Sequence, residues 1–197
     1  TGKTAAFALP LLQRMSEEVP SPRGPRAPRL LVLVPTRELA AQVGQSFDDF
    51  GRHLNQRTLL VFGGVSARPQ IDALRQGVDI VVATPGRLLD HINERVVDLS
   101  KVRRLVLDEA DRMLDMGFIR DIRRVLAVLP KQRQNLLFSA TFSDEIRTLA
   151  RGLLHDPLTV EVAPRNAPAE LVEHRVHLVE QGEKRAVLSH LLREGAT

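Results

Sequence analysis

The stretch that decides the fold is Leu105-Val106-Leu107-Asp108-Glu109-Ala110-Asp111, an apolar run that ends abruptly in carboxylates. A short, continuous run of large aliphatic residues is typical of a β-strand buried on both faces, as in a parallel sheet covered by helices. A carboxylate at the end of such a strand is costly to bury unless a cation compensates it. The stretch therefore predicts a buried strand with a binding site at its carboxyl end.

Four other short apolar runs share this character, and longer amphipathic stretches separate most of them. The predicted strands are Leu30 to Val34, Thr58 to Phe62, Asp79 to Ala83, Arg104 to Leu107 and Asn135 to Phe138. Predicted helices include Glu38 to Phe50 and Ile119 to Leu129. Strand–helix alternation of this kind predicts an α/β fold in which a mostly parallel sheet is sandwiched by helices.

The bulk composition narrows the class of protein. The chain has 197 residues, 43% of them hydrophobic, which predicts a globular chain with one well-cored domain and a piece of another. The formal charge of +4 permits a polyanionic partner without requiring one. Cysteine is absent, which fits a reducing cytosol, so we expect a cytoplasmic location. No apolar run approaches the roughly 20 residues of a membrane helix, so we expect no membrane partner.

The chain has the appearance of a fragment with two unequal parts. It begins with Thr1 inside a motif, so we interpret it as lacking the first residues of its first domain. That domain is predicted over residues 1–163 and is followed by a linker at 164–170, where Pro and Ala cluster. Residues 171–197 are then the start of a truncated second domain.

Local patterns within these parts predict further elements. Pro20 to Pro28 is rich in proline and is predicted to be a loop. Leu158 to Val162 is predicted to be the last strand of the first domain. In the second part, His174 to Val179 alternates like a strand and Lys184 to Leu192 has helical periodicity.

Polar or glycine-containing segments follow all five central strands. In an open parallel sheet, ligands bind outside the carboxyl ends of the strands, so these segments are expected to share one edge. They are Pro35-Thr36-Arg37-Glu38, Gly63-Gly64, Thr84-Pro85-Gly86-Arg87, Asp108-Glu109-Ala110-Asp111 and Ser139-Ala140-Thr141. Their convergence predicts a composite site along that edge.

One part of this site is predicted to bind a nucleotide. Gly2-Lys3-Thr4 precedes an apolar helix and matches the end of a phosphate-binding loop, in which Lys reaches the phosphates and Thr ligates Mg²⁺. Asp108 could share that cation, and Glu109 is suited to orient or deprotonate the attacking water. ATP and Mg²⁺ are thus the predicted cofactors. The alternative interpretation is structural: a helix start with a solvated Lys3, and an acidic helix start at Glu109 and Asp111 that favours the helix dipole.

Small hydroxyl side chains follow the strand predicted at 135–138. Ser139 and Thr141 are expected to hydrogen-bond Asp111 and so tie the nucleotide site to the rest of the domain. The alternative is a helix cap, with Thr141 or Ser143 capping a helix that starts near residue 144. Both interpretations are compatible with the sequence.

The remaining segments predict a surface for nucleic acid. Thr84 and Pro85 suit a helix start whose free N–H groups bind phosphate, and Arg87 adds a charge. The helix start at Thr36 and Arg37 and the turn at Gly63-Gly64 are two further corners that could meet phosphate. Three such corners suit a nucleic-acid strand held by its sugar-phosphate backbone, although each alone is ordinary turn chemistry. Phe, with seven copies, is the only aromatic type, so base stacking is a poor alternative. The predicted contacts are Thr36, Arg37, Gly63, Gly64, Thr84, Pro85, Gly86 and Arg87.

Taken in order, these segments resemble the motifs of the DEAD-box ATP-dependent RNA helicases of superfamily 2, over essentially residues 1–180. The sequence around Val106 to Phe118 and Gln134 to Ile146 most resembles the bacterial RhlE-type branch. The resemblance implies a RecA-like P-loop NTPase domain plus the start of a second one. It also implies an enzyme that hydrolyses ATP to ADP and phosphate, and couples this to RNA binding and local duplex unwinding.

The resemblance also implies roles for individual residues. Gly2 and Lys3 would contact phosphates, Thr4 and Asp108 would serve the metal, and Glu109 would position water, so that Lys3, Asp108 and Glu109 form the catalytic set. Asp111, Ser139 and Thr141 would couple hydrolysis to strand separation. The residues that would touch RNA backbone are Arg37, Gly64, Thr84 and Arg87.

Parts of the family's machinery are missing from this sequence. The adenine-reading segment and nearly all of the second domain, with its arginine finger, are absent, and such a finger is worth about 10³-fold or more in rate. We therefore expect this fragment alone to be nearly inactive. Two alternatives stay open, a helicase-like ATPase acting on DNA and a non-catalytic RNA-binding adaptor. The physiological RNA is also open, and ribosome-assembly or RNA-decay proteins are compatible partners.

Overall fold

The computed structural model describes residues 2–18, 26–161, 177–180 and 182–194. Its centre is a five-stranded sheet in which all pairs are parallel and the strand order is β2-β3-β1-β4-β5. The strands are β1 (Leu30–Leu33), β2 (Thr58–Val61), β3 (Ile80–Ala83), β4 (Arg104–Leu107) and β5 (Gln134–Leu137). The predicted α/β class and all five central strands are confirmed, with ends that differ by one residue at most.

Helices between residues 2 and 153 flank the strands and cover both faces of the sheet, and one further helix lies near the end of the described chain. They are α1 (Gly2–Glu17), α2 (Arg37–Phe50), α3 (Arg68–Gln76), α4 (Pro85–Asn93), α5 (Ala110–Asp115), α6 (Ile119–Val128), α7 (Asp144–Leu153) and α8 (Lys184–Glu194). The predicted helices over 38–50, 119–129 and 184–192 are therefore confirmed.

Strands β1 and β3 are apolar and buried throughout because each contributes to two cores. Alternate residues point to opposite faces of a strand. Leu31, Leu33 and Leu107 lie in a core that includes side chains of α4, α6 and α7. Leu30 and Val32 lie in a second core with side chains of α1 and α2. Full burial of one such side chain contributes about 1.5–3 kcal/mol, so a polar substitution in β1 or β3 destabilises one core or the other.

The amino ends of the strands are closed by a network of ion pairs. Asp79, directly before β3, accepts hydrogen bonds from Arg26 Nη1 (2.9 Å), Arg29 Nη2 (3.3 Å) and the Arg57 N–H (3.0 Å). Glu18 pairs with Arg29 (2.9 Å) and Arg104 (2.5 Å). The network ties α1 and the first residues of β1, β3 and β4 together at the edge opposite the predicted site.

Two predicted strands differ from the structure. Residues 157–161 form no strand, and Leu158 and Val160 are 91% and 76% exposed. The alternation at Leu158 to Val162 suggests a strand, but within the described chain no partner strand lies beside it; Val162 is outside the described residues. The same holds for residues 177–179 of the strand predicted at His174 to Val179, whose first residues are also outside.

The chain divides into two compact units, residues 1–159 and 160–197. The predicted linker at 164–170 and most of the loop predicted at 20–28 lie outside the described residues. Residues 26–28, which end that loop, are neither helix nor strand. Among the residues that the structure describes, no helix has the length and apolar character required to cross a bilayer.

Candidate nucleotide and nucleic-acid site

The parallel pairing brings the predicted motifs to one edge of the sheet. Each motif starts within two residues of the carboxyl end of its strand, from Pro35 after β1 to Ser139 after β5. Parallel strands end at the same edge, so segments far apart in sequence become neighbours. The single exception is Gly2-Lys3-Thr4, which reaches the site through the start of α1 rather than after a described strand.

Asp108 is the most buried charged group at this edge, with 4% of its surface exposed. Burial raises the pKa of its carboxyl, and the nearby charges of Glu109 and Asp111 act in the same direction. The Glu109 N–H, which donates to Asp108 Oδ1 at 3.0 Å, and the charge of Lys3 oppose that rise. The charges of Lys3, Glu109 and Asp111 thus all act on the Asp108 carboxyl.

Glu109 adopts a left-handed backbone conformation, with φ 50° and ψ 51°. A non-glycine residue in this region costs about 1–2 kcal/mol, and such strain is concentrated at functional sites. Glu109 precedes α5, but its side chain makes no capping hydrogen bond; it accepts from Arg112 Nη1 at 3.3 Å. This left-handed conformation changes the direction of the chain directly after Asp108. Neither the strain nor the contact with Arg112 was predicted from the sequence.

Asp111 connects α5 to the segment after β5. Its Oδ2 accepts hydrogen bonds from the Ala140 N–H (3.2 Å), the Thr141 N–H (2.9 Å) and Thr141 Oγ1 (2.9 Å). Ser139 Oγ accepts from the Asp111 N–H at 3.3 Å. Burial alone would raise the pKa of Asp111, but the hydrogen bonds, mainly from Thr141, hold it below the ordinary value.

The contact predicted between Asp111 and the two hydroxyls is thus present. The cap of the next helix is also present, and it uses Ser143, whose Oγ accepts from the Ile146 N–H at 3.3 Å. Thr141 is not the cap, because its hydroxyl is bound to Asp111. The coupling role of these residues stays a prediction.

Gly2, Lys3 and Thr4 form the first turn of α1. The helix therefore includes the motif that was predicted to precede it, and Thr1 is outside the described residues. Lys3 is exposed and Thr4 is half-buried, so both are accessible to a ligand. The helix is anchored by Phe7, whose ring packs on Phe138 with 5.1 Å between centroids. Because Phe138 directly precedes Ser139, the start of α1 is held beside the Asp111 contacts.

Two of the predicted nucleic-acid corners meet at Arg37. Thr36 caps α2, and its hydroxyl accepts from the Leu39 N–H at 3.2 Å, so the side chain is already engaged. Arg37 is exposed and pairs with Glu38 at 2.6 Å. Gly64 has φ +78°, and a Cβ added there would lie 3.5 Å from Arg37 Nη1. The Gly64 backbone and a guanidinium therefore form one surface.

The third corner has the predicted helix start, with Thr84 at the N-cap position and Pro85 as the first residue of α4. Pro85 is buried and shapes the helix start, while Thr84 makes no side-chain capping bond. Arg87 is only 15% exposed, and both terminal nitrogens donate to the Val65 carbonyl, at 3.2 and 3.1 Å. Its predicted contact with a phosphate stays a prediction; in the structure it holds the segment after Gly63-Gly64. Gly86 is half-buried beside it.

The oxygen donors at the nucleotide edge fit a magnesium ion shared with phosphates. Mg²⁺ in nucleotide sites uses one or two protein oxygens, with phosphate and water completing the shell. Asp108 and Thr4 supply such oxygens. Across the described ranges, no group of three or more His, Asp or Glu side chains could hold a metal by itself.

Comparisons with known proteins agree with this architecture. The DEAD/DEAH box helicase family model matches residues 1–149. ATP-dependent RNA helicase DeaD of Escherichia coli (strain K12) is 48% identical over 163 residues, covering 82% of this chain and 25% of that protein. ATP-dependent RNA helicase CshA of Listeria monocytogenes is 43% identical over 192 residues, covering 98% of this chain and 36% of that protein. The chain thus spans about a quarter to a third of these relatives.

Solved structures show the same fold. A DEAD box protein from the hyperthermophile Methanococcus jannaschii superposes with a TM-score of 0.70 at 42% identity, covering 79% of this chain and 41% of that one. The yeast DEAD-box splicing factor Prp28 gives 0.71 at 34% identity, covering 78% and 37%. The predicted RecA-like fold is therefore confirmed for the sheet and its helices. This chain belongs to the DEAD/DEAH box helicase family.

Proposed function

We propose that this chain is the ATP-binding part of an ATP-dependent RNA helicase that couples ATP binding and hydrolysis to RNA binding and local duplex unwinding. The observation that carries the proposal is the carboxylate group at the end of β4. Buried Asp108 is influenced by the charge of Lys3 and is followed by strained Glu109, and Asp111 forms hydrogen bonds with Ser139 and Thr141. The names of the relatives, ATP-dependent RNA helicases DeaD and CshA, support the same activity.

In the proposed mechanism, the nucleotide lies at the start of α1. The free N–H groups of a helix start and the Lys3 ammonium both attract phosphate oxygens. Thr4 and Asp108 would hold Mg²⁺, which when bound neutralises charge on the phosphates. The raised pKa of Asp108 fits this role, because a carboxyl that is costly to ionise in its pocket gains most from a cation.

Glu109 is the residue that we propose to orient the attacking water and to accept its proton. Its Oε2 atom accepts from Arg112, which leaves Oε1 available to a water. The left-handed backbone turns this carboxylate away from the course of β4, so that adjacent residues, Asp108 and Glu109, can serve the cation and the water separately.

The proposed coupling passes through Asp111. It lies two residues from Glu109 in sequence, and its carboxylate holds both the backbone and the side chain of Thr141. A shift of Glu109 on hydrolysis would therefore be transmitted to the segment from Ser139 to Thr141. The proposed RNA surface follows the same edge, with Arg37, Gly64, Thr84 and Arg87 along the backbone of the strand.

The test is turnover of ATP by the full-length protein with matched single strands of RNA and DNA. We expect RNA to stimulate hydrolysis and an excess of the matched DNA strand to compete poorly. A clear preference for DNA would favour the DNA-dependent alternative. ATP turnover that stays at background with every nucleic acid, while RNA still binds, would favour the non-catalytic adaptor.

The proposal includes the organisation of the chain and its cellular setting. Residues 1–163 form the first RecA-like domain, 164–170 the linker and 171–197 the start of the second. The 197-residue chain alone should therefore show almost no RNA-stimulated turnover, because a finger from the second domain supplies about 10³-fold or more. RNA-stimulated turnover by this chain at the full-length rate would contradict that. A cytoplasmic location, with partners in ribosome assembly or RNA decay, completes the proposal.

A further inference from the structure

Two side chains of α4 hold the loop between β2 and α3. This loop, residues 62–67, contains Gly63 and Gly64 and is called the double-glycine loop below. Arg87 donates two hydrogen bonds to the Val65 carbonyl. One helical turn later, His91 Nε2 lies 3.1 Å from Gln70 Oε1, and Gln70 Nε2 donates to the Phe62 carbonyl at 3.0 Å. The carbonyls before and after the glycine pair are therefore both anchored to α4.

The directions of the bonds are fixed by donor and acceptor chemistry. The Phe62 carbonyl can only accept, so Gln70 must present its NH₂ group to it and its Oε1 to His91. His91 must then carry its proton on Nε2. Its Nδ1 is buried and has no hydrogen-bond partner among the described residues, so a second ring proton would be buried without an acceptor. His91 is therefore neutral, and Gln70 cannot be replaced by Glu without loss of the donor to Phe62.

Phe62 also packs against a hydrophobic core at the start of the double-glycine loop, but the residues after it are in open surroundings. A Cβ at Gly63 would meet nothing within 4 Å, and Val65 is 47% exposed. Gly64 has φ +78° and faces Arg37 Nη1. By contrast, Gln70 and His91 are 6% and 1% exposed, so this pair forms a buried support behind the glycines without reaching the surface itself.

We propose that Gln70 and His91 are positioning residues for nucleic-acid binding. By fixing the Phe62 carbonyl they hold the Gly63-Gly64 backbone in the conformation that meets a sugar-phosphate backbone beside Arg37. A loop fixed before binding does not lose conformational entropy on binding, which strengthens affinity. The inference rests on the proposed function of this edge, and it adds two buried residues that no motif at the strand ends contains.

The test measures the RNA concentration that half-saturates ATP turnover by the full-length protein. Gln70→Glu keeps the side-chain shape but removes the donor to Phe62, and His91→Leu removes the donor to Gln70. We expect each to raise that concentration about 3- to 10-fold, the effect of one lost hydrogen bond, with an unchanged KM for ATP. Gln76→Glu, the same change at an exposed position of α3, is the matched control and should behave as wild type.

A conservative variant separates positioning from packing. His91→Gln retains an N–H donor toward Gln70, so it should restore RNA affinity relative to His91→Leu. Amide hydrogen exchange over residues 62–67 should be faster in Gln70→Glu than in wild type and unchanged in Gln76→Glu. This measurement reports the local opening of the loop directly, even where a variant is less stable overall.

Each outcome either supports or overturns the positioning role. Unchanged RNA affinity in Gln70→Glu and His91→Leu, with RNA-stimulated wild-type protein, would overturn this inference alone. Equal losses in ATP and RNA affinity would reduce the pair to a structural role and would also overturn it. If RNA does not stimulate the wild type, the proposed function fails and this inference fails with it.

Discussion

Two buried aspartates at opposite ends of the sheet have opposite surroundings. Asp79 precedes β3 and is 5% exposed, and Asp108 follows β4 and is 4% exposed. Asp79 accepts hydrogen bonds from two arginines and a backbone N–H. Asp108 accepts only from the Glu109 N–H and forms no ion pair within the described part of the chain. The two carboxylates are thus equally buried, but Asp79 has hydrogen-bond and ion-pair partners whereas Asp108 has a single hydrogen bond.

The difference separates the tasks of the two edges. At the amino edge, each of the two carboxylates, Asp79 and Glu18, pairs with two arginines, and the network holds the end of α1 against the starts of the strands. The carboxyl edge contains a carboxylate with a raised pKa, a strained backbone at Glu109 and an exposed Lys3. A bound ligand could supply the partners that these charged groups lack within the described protein. Unbalanced polar groups of this kind lower stability and are retained where function needs them.

The largest expected effect comes from Glu109→Gln in the full-length protein. Removal of a positioned general base lowers turnover by about 10²–10⁴-fold. Gln has the same shape as Glu, so we expect the melting temperature to change little. The matched change at the other edge is Glu18→Gln, which should keep turnover. RNA-stimulated ATP hydrolysis measures both, and wild-type turnover by Glu109→Gln would remove the catalytic role assigned to this residue.

The next effect is on stability, from Asp79→Asn. The change removes the only ion-pair partner of Arg26 within the described chain and leaves Arg29 paired with Glu18 alone, in a partly buried network, which costs about 3 kcal/mol. Chemical denaturation should show this loss, while turnover per folded molecule stays near wild type. Asp48→Asn in α2 is the control and should stay within about 0.5 kcal/mol of wild type. A stable Asp79→Asn protein that has lost turnover would contradict the assignment of stability to the amino edge and of catalysis to the carboxyl edge.

The sequence predicted the carboxyl edge better than the amino edge, for a physical reason. Apolar runs buried on two faces are visible in sequence, and in a parallel sheet the residues after them must share an edge. The order of the residues therefore places Asp111 and Thr141 at the same edge, where they form hydrogen bonds. Asp79 is also adjacent to a strand, but its partners Arg26 and Arg29 carry no motif, so its network could not be predicted.

Some features depend on backbone geometry and packing that sequence does not encode locally. The left-handed conformation of Glu109 follows from the turn after β4, and the contact of Arg87 with Val65 follows from the approach of α4 to the double-glycine loop. The buried pair Gln70 and His91 lies within helices whose patterns are otherwise ordinary. In the opposite direction, Leu158 to Val162 has a strand-like pattern but no partner strand within the described chain.

A smaller effect of opposite sign is expected from Asp108→Asn. In the absence of nucleotide and magnesium, the variant removes a poorly satisfied buried charge, so unfolding should become less favourable by about 1 kcal/mol, or about 2–4 °C in Tm. Addition of Mg·ATP should make wild type more stable than the variant. A ligand at 100 times its Kd stabilises wild type by about 2.7 kcal/mol, and the variant should lose most of that. Thermal unfolding with and without Mg·ATP measures the stability difference between variant and wild type in both conditions. A variant less stable than wild type without ligand would contradict the claim that the Asp108 carboxylate lacks partners in the protein.

The smallest effect is the pH dependence of Glu18→Gln. Burial would raise the pKa of Glu18, but the hydrogen bonds and charges of Arg104 and Arg29 outweigh it and lower the pKa below the ordinary value of 4.5. A carboxyl with a lowered pKa in the folded state contributes stability above its unfolded pKa, and that contribution is lost as pH falls through the folded value. The stability gap between wild type and Glu18→Gln should therefore be constant above about pH 5.5 and close as the pH falls below 4.5. Denaturation midpoints from about pH 3 to about pH 7, on the order of one measurement per half unit, would follow this closure. A gap that is independent of pH would show that the charge of Glu18 adds nothing, and that the amino edge is held by packing and not by its ion pairs.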